Sequence, residues 1–238
     1  MRGIGWVTPS GIGRGQPGEV FRLGSGQLPV LHSRLFLETP HLRFGRFGLY
    51  DKAGFGAICL ALRSAGLERW EQKRPIGLVV GTRRGCLETD VAYFETVASD
   101  GGAMASPNLF AYTLPNCMLG EASIQFGLTG PSFVIDDLGE GHLHGIRAAL
   151  DVMHWGLCET MVAGWCDVNS EIVDGSAEES CGAVFVAMTR GPDASPWQWD
   201  RGQLTYRTEP VNDIEQLVRK VLENNALNES RVRTEADK

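Results

Sequence analysis

The residue types that could do chemistry are concentrated in one short stretch, residues 130–145, with the sequence GPSFVIDDLGEGHLHG. His142 and His144 follow acidic residues and glycines, and imidazole beside carboxylate is a common pairing for general acid–base catalysis. A metal site is not expected, because side chains two residues apart on a helix point about 200° apart. The pattern allows either a general base supported by an acid or a polar first helical turn, with acids placed favourably at the helix dipole; the second is favoured.

Cysteine is the other candidate nucleophile. The chain has six cysteines without CxxC or CxxH spacing, so neither a zinc site nor a disulfide framework is expected. Cys117 falls at the start of a predicted helix, where the pKa of a thiol can be lowered. A core or interface position is nevertheless the favoured interpretation, which leaves Cys117 a weak catalytic candidate.

Hydrophobic periodicity predicts the elements that must position these residues. The predicted strands cover 2–8, 75–81, 132–136, 158–168 and 182–188, and the predicted helices cover 51–67, 89–99, 116–127, 141–156 and 211–226. Thr89 is the predicted N-cap of the second helix and Gly66 the predicted stop of the first. Residues 196–209 are predicted as a β hairpin or extension. This alternation favours an α/β layered structure with a largely parallel sheet.

Composition excludes several classes of protein. The formal net charge of −7 argues against nonspecific nucleic-acid binding over the whole surface. No apolar run approaches the ~20 residues of a membrane span, and the N-terminus has no sustained apolar segment typical of a signal peptide. A cytoplasmic protein with one compact domain over 1–238 is therefore expected.

Five segments in order resemble the N-terminal half of the β-ketoacyl synthases, which have the thiolase fold. They are GIGWVTPSG (3–11), GLVVGTRRGCLET (77–89), LPNCMLGEASIQFGLTGPSFVID (114–136), GLCETMVAGWCDV (156–168) and GAVFVAM (182–188). The resemblance covers roughly residues 2–190 and leaves 191–238 as a C-terminal extension. It implies a single half of the thiolase fold, a βαβαββ-type layered domain with a mostly parallel five-stranded sheet and helices on its faces.

The resemblance also implies that the acyl-accepting nucleophile is missing. The family motif at the strand-to-helix corner is DTACAS, and a gapless alignment with DDLGEG (136–141) places Gly139 where the nucleophilic Cys stands. The family's two catalytic histidines come from a second half, whereas all five histidines here lie at or before residue 154. No catalytic residue is therefore expected, and His142, His144 and Cys117 remain weak candidates.

In this family the strand before the nucleophile pairs with its copy across a two-fold axis. The residues that resemble that interface are Asn116, Cys117, Ser132, Phe133, Val134, Ile135 and Asp136. The resemblance thus implies a non-catalytic, chain-length-factor-type subunit acting in bacterial fatty-acid, aryl-polyene or polyketide-like acyl chain synthesis. Its expected partner is a second copy or an active ketosynthase, and acyl carrier protein is a further expected partner.

No cofactor is expected apart from the phosphopantetheine arm of a carrier protein, whose phosphate Arg83 and Arg84 could contact, although a solvated pair is favoured. Two alternatives stay open. One is an acyl-thioester hydrolase or acyltransferase with repurposed chemistry at His142 or His144. The other is a purely structural interaction module.

Overall fold

A central β-sheet with helices on both faces forms the framework of the chain. The computed structural model describes residues 3–16, 18–98, 101–139, 141–168, 180–191, 197–200 and 203–223. The strands are β1 (Gly3–Thr8), β2 (Gly11–Gly13), β3 (Ile76–Thr82), β4 (Ser132–Asp136), β5 (Thr160–Asp167), β6 (Gly182–Thr189), β7 (Trp197–Asp200), β8 (Gln203–Tyr206) and β9 (Glu209–Val211). The helices are α1 (Leu49–Ser64), α2 (Leu87–Ala98), α3 (Pro107–Phe110), α4 (Cys117–Phe126), α5 (His144–His154) and α6 (214–223).

The central sheet has six strands in the order β2-β1-β6-β5-β3-β4. Strand β3 pairs in parallel with β4 and β5, whereas β6 runs antiparallel to both β1 and β5. Four of the six strands, β1, β3, β4 and β5, therefore point the same way, which confirms the predicted mostly parallel sheet. The sixth strand, absent from the prediction, is the short β2, which pairs with β1 across a tight turn.

The two faces of the sheet are buried in two separate cores because successive side chains on a strand point to opposite sides. On one face, Val80 and Phe185 pack with residues of α1 and α4. On the other face, Trp6 and Val184 pack with residues of α5 and α6. Both faces are covered, which explains why the strands are almost continuously apolar rather than alternating.

The C-terminal extension contributes to the second core. Strands β7, β8 and β9 form a separate three-stranded antiparallel sheet. The side chains of Leu204, Val211, Leu217 and Val218 are buried against the face that also carries Trp165. The described part of the extension thus helps to cover the central sheet, and α6 lies inside the predicted helix 211–226, of which residues 224–226 are outside the described ranges.

The helices begin within three residues of the predicted starts, and two of the differences bear on the site. Helix α2 begins at Leu87, so Thr89 is not its N-cap but a buried residue of its first turn. Helix α5 begins at His144 instead of 141, because the glycine-rich corner continues up to Leu143. The predicted stop of α1 is confirmed: Gly66 has a φ of 69°, and the N–H of Leu67 donates to the carbonyl of Leu62, as in a Schellman motif.

Within the described ranges, no helix combines the length and the apolar character that crossing a membrane requires. The division of the whole chain into one domain stays a prediction.

Candidate functional site

The corner between β4 and α5 is held against the carboxyl end of the parallel strands by close backbone contacts. The N–H of Asp137 donates to the carbonyl of Thr82 at the end of β3, at 3.0 Å. A Cβ on Gly145, in the first turn of α5, would overlap the carbonyl oxygen of Gly164 and approach the nitrogen of Gly81 to 2.8 Å. Only a residue without a side chain lets α5 lie this close to β5 and β3, and this approach places the preceding residue, His144, at the corner.

His144 is oriented by its Nδ1 atom. This nitrogen lies 3.3 Å from the carbonyl oxygen of Asp136 and 3.5 Å from Oδ1 of Asp137. Both neighbours are acceptors, so in the neutral ring the proton belongs on Nδ1 and the lone pair on Nε2. A Cβ built on Gly139 would lie 3.0 Å from that Nε2. With 43 % of its side chain exposed, His144 is accessible to water, and its ring lies close against the side of Gly139 that a side chain would occupy.

Asp137 is the buried partner of this imidazole, with a side chain that is 0 % exposed. Its Oδ2 accepts the backbone N–H of His144 at 3.3 Å, and its Oδ1 has no hydrogen bond from any group in the described part of the chain. Burial raises the pKa of this carboxyl, an effect that nearby His144 and His142 oppose and Asp167 reinforces. A positive charge on His144 would therefore stabilise the ionised carboxylate.

His142 has a different role from His144. Its ring stacks on the buried indole of Trp165, with centroids 4.4 Å apart, and its φ of 55° is uncommon for a residue other than glycine. The Trp165 N–H in turn donates to Asp167 at 2.8 Å. The structure thus brings His144, not His142, to Gly139. Among the described residues, no group of three His, Cys, Asp or Glu side chains is arranged to hold a metal ion.

Asp167, at the end of β5, fixes the loop that follows β3 and was not singled out from the sequence. Its carboxylate accepts the hydroxyl of Thr82 at 2.8 Å and the backbone N–H groups of Arg83 and Arg84 at 3.0 and 2.9 Å. The only signal in the sequence was an acid near the end of a strand that is otherwise almost entirely apolar. Because Thr82 also carries the carbonyl that holds Asp137, this network fixes one wall of the corner.

Cys117 lies apart from the contacts of Gly139. It begins α4, and its thiol donates to the carbonyl of Ala111 at 3.2 Å. Burial raises the pKa of this thiol, the opposite of the lowered pKa that a nucleophile at a helix start would need. The neighbouring Asn116 is exposed and makes no side-chain cap.

The segment predicted as a dimer interface is the edge strand of the central sheet. No strand in the described ranges pairs with the outer side of β4. Ser132 and Asp136 at its ends are exposed, and the three apolar residues between them, Phe133, Val134 and Ile135, are half-buried. The interface itself stays a prediction.

Comparison with known proteins identifies a matching protein family and several similar solved structures. The family model of the β-ketoacyl synthase N-terminal domain matches residues 56–189, more than half of the chain. A curated relative, 3-oxoacyl-[acyl-carrier-protein] synthase 2 of Vibrio harveyi, is 30 % identical over 161 residues. That match covers 66 % of this chain but 38 % of the relative, so the chain spans well under half of the relative's length.

Two similar solved structures are described as a ketosynthase and chain length factor. The ishigamide ketosynthase/chain length factor matches with a TM-score of 0.61 and 14 % identity, over 79 % of this chain and 57 % of that chain. The ketosynthase ApeO in complex with its chain length factor ApeC, from Xenorhabdus doucetiae, matches with a TM-score of 0.54 and 17 % identity, over 79 % of this chain and 77 % of that chain. These likenesses establish the thiolase-like fold.

Proposed function

Because the chain belongs to the β-ketoacyl synthase N-terminal domain family, we propose that it is a ketosynthase-like subunit of the chain-length-factor type. In this role it serves bacterial fatty-acid, aryl-polyene or polyketide-like acyl chain synthesis without catalysing condensation itself. The active partner supplies the nucleophile, and an acyl carrier protein delivers the chain.

The glycine at position 139 is the observation that carries this proposal. Condensation needs a thiolate that accepts the acyl group before the new bond forms. The strand, the corner and the helix that would present it are all in place, but Gly139 has no side chain and no cysteine lies between residues 118 and 157.

The exposed apolar surface supports a protein partner. Large apolar side chains are exposed on α2, α3, α4 and the corner, namely Phe94, Phe110, Ile124 and Leu138. An unpaired edge strand and exposed apolar side chains are both features of surfaces that another protein covers. We take an active ketosynthase as the partner, because one similar solved structure is a ketosynthase in complex with its chain length factor.

A lysine in the edge strand is expected to break this complex. When the protein is co-expressed with an active ketosynthase of its own organism, a one-to-one complex is expected in size-exclusion chromatography with light scattering. Ile135→Lys puts a charge on β4 and should weaken the complex by at least about tenfold, since charged side chains block pairing at sheet edges. The matched control is Val20→Lys, because Val20 is exposed and follows β2 in the chain, the strand at the opposite edge of the sheet from β4.

Failure of the wild-type protein to bind any such ketosynthase would contradict the proposed partner, and a stable homodimer instead would assign β4 to a second copy. Equal weakening by both lysine variants would exclude β4 as the interface. Circular dichroism of each variant shows whether its fold is retained.

The missing nucleophile has its own test. With malonyl-carrier protein the purified protein is expected to release no CO2, and with a radiolabelled acyl thioester it is expected to take no label at cysteine. Cys86 is a poor acceptor, because burial raises the pKa of its thiol to about 12, with Asp90 and Asp51 adding to the effect. Stoichiometric acylation of Cys86 or Cys117, located by mass spectrometry, would overturn the proposal.

A further inference from the structure

We propose that a cavity lined by three arginines at one end of the central sheet binds a small phosphate monoester. The inference goes beyond the proposed function and does not rest on it. The cavity holds about 290 Å³, and its lining consists of three arginines, two glutamates and one leucine, namely Arg14, Arg34, Arg63, Glu38, Glu68 and Leu37. Ligand pockets are commonly ~300–1,000 Å³, so this volume suits a phosphate group with a short organic part.

The cavity lies away from the β4–α5 corner. Arg63 is in the last turn of α1, and the residue after that helix, Ala65, is so close to the start of β1 that a Cβ on Gly3 would overlap its nitrogen. Because β1 points the same way as β3, β4 and β5, its start is at the amino end of the parallel strands. Gly139 follows β4 at the carboxyl end, so a ligand in this cavity would not occupy the corner.

Two of the three arginines are not neutralised by an acid. Among the described residues, no carboxylate pairs with the side chain of Arg14 or Arg34. Of the two glutamates in the lining, Glu68 pairs with the third arginine, and Glu38 lies 3.7 Å from Arg69, outside the lining. Two positive charges therefore remain at the cavity, and a phosphate monoester, with a charge of about −1.5 to −2 at pH 7, complements them.

The Arg14 side chain is oriented before any ligand binds. Its Nη2 and Nε atoms donate to the side-chain oxygen of Gln16 at 2.7 and 3.2 Å. The nearby carboxylate of Glu19 is already engaged, because it accepts the backbone N–H groups of Arg14 and Gln16 at 2.8 and 2.9 Å. These contacts hold the loop and leave the N–H groups of Arg14 Nη1 to a ligand. An arginine that is oriented in advance loses less conformational entropy on binding.

The third arginine and the leucine form a fixed wall of the cavity. Arg63 donates from Nη2 to the carbonyl of Phe36 at 2.7 Å, and its Nε pairs with Glu68 at 2.5 Å. Leu37, the next residue in the chain, is 8 % exposed and belongs to the core that contains residues of α1. Arg63 therefore has a structural role, and replacing it would not separate ligand binding from folding. Arg14 and Arg34 are the residues on which a test can act.

Two unpaired arginines favour phosphate over carboxylate. A guanidinium presents its N–H groups in a planar fork, which matches both kinds of anion. A carboxylate has two acceptor oxygens and one charge, so a single guanidinium can bind both oxygens. The three terminal oxygens of a phosphate monoester let it accept from two arginines at once. Two solvated arginines without a specific ligand are the alternative, and they would attract all anions weakly, by an amount that falls with added salt.

Isothermal titration calorimetry of the full chain with glycerol phosphate, at constant ionic strength, tests the site. One molecule is expected to bind per chain. Arg14→Gln and Arg34→Gln should each weaken binding by at least about tenfold, because each removes a hydrogen-bonding charge. The matched control is Arg46→Gln, which replaces an exposed arginine that does not line the cavity and should leave the affinity unchanged. Circular dichroism of each variant shows whether its fold is retained.

A series of anions identifies the chemistry of the ligand. Dimethyl phosphate, a diester with one charge, and acetate are each expected to bind at least about tenfold more weakly than glycerol phosphate. Equal binding of either anion would contradict a monoester site. The cavity itself would be excluded by equal affinities of the wild type, Arg14→Gln and Arg34→Gln, or by no saturation up to about 10 mM glycerol phosphate. None of these results bears on ketosynthase binding, which is measured separately.

Discussion

Gly145→Ala is expected to lower the free energy of unfolding by about 3 kcal/mol, the upper part of the usual range for overpacking. The added methyl group would overlap the backbone carbonyl of Gly164 and crowd the nitrogen of Gly81. These are atoms of β5 and β3 in the middle of the central sheet, which cannot rotate away as the end of a flexible side chain can. The strain must instead push α5 off the sheet, and urea denaturation measures the loss.

Gly120→Ala is the control for this substitution. Gly120 is also a helical glycine, but it is exposed, and an added Cβ meets no atom within 4 Å. Alanine there should raise stability by about 0.5–1 kcal/mol, the difference in helix propensity. If Gly145→Ala proved as harmless as Gly120→Ala, the close approach of α5 to the sheet would be wrong, and with it the placement of His144.

Asp51→Asn is expected to stabilise the protein by about 2–4 kcal/mol above pH 7 and to have little effect near pH 4. Asp51 lies in α1 with 0 % exposure, and neither carboxyl oxygen has a hydrogen-bond partner among the described residues. Burial raises the pKa of this carboxyl from 3.8 to about 7. The nearby backbone N–H groups of Gly48 and Met118 oppose this rise without reaching hydrogen-bond geometry, and the charge of Glu121 adds to it.

The sign of the pH effect follows from which state holds the proton. Below pH 3.8 the carboxyl is protonated in both states, and its contribution to folding is constant. Between pH 3.8 and about 7 the unfolded chain has lost the proton while the folded protein keeps it, so stability falls as pH rises. A pKa raised from 3.8 to about 7 corresponds to a loss of about 4 kcal/mol once the buried group is ionised.

Urea denaturation of wild type and Asp51→Asn between pH 3.5 and 8.5 tests this expectation. The difference between the two curves should widen as pH rises to 7 and stay constant above it, and the convergence of the curves at low pH serves as the internal control. A difference that does not change with pH would mean that Asp51 does not titrate on folding in this range.

The sequence predicted the strands well because their signal is strong and local. IGLVVG and GAVFVAM are apolar runs with few alternatives to burial in a sheet. The short β2 was missed because three residues with two glycines carry no periodicity. The sequence did not predict that β8, β9 and α6 cover the central sheet. An amphipathic pattern shows that one face of an element is buried, but it does not show which surface that face packs against.

The candidate site was predicted only in part. The resemblance located Gly139, but the distinction between the two histidines depends on a backbone turn with positive φ at His142, which local propensity does not predict. Strand alternation could have distinguished the two adjacent acids at the end of β4, because successive side chains point to opposite sides. Asp136 is exposed and Asp137 is buried.

The position of β1 between β2 and β6 determines when the protein can fold on the ribosome. Ile4 pairs opposite Val186, so the first strand is made long before its partner. At 5–20 residues per second, translation reaches β6 roughly 10–40 s after β1 has been made. Helix α1 emerges early and can cover one face, since it packs against Gly5 through Ala57 and Ala61. The core on the other face, which contains Ile4 and Trp6, is completed only when β8 and α6 arrive, which makes nascent β1 a segment for chaperones to protect.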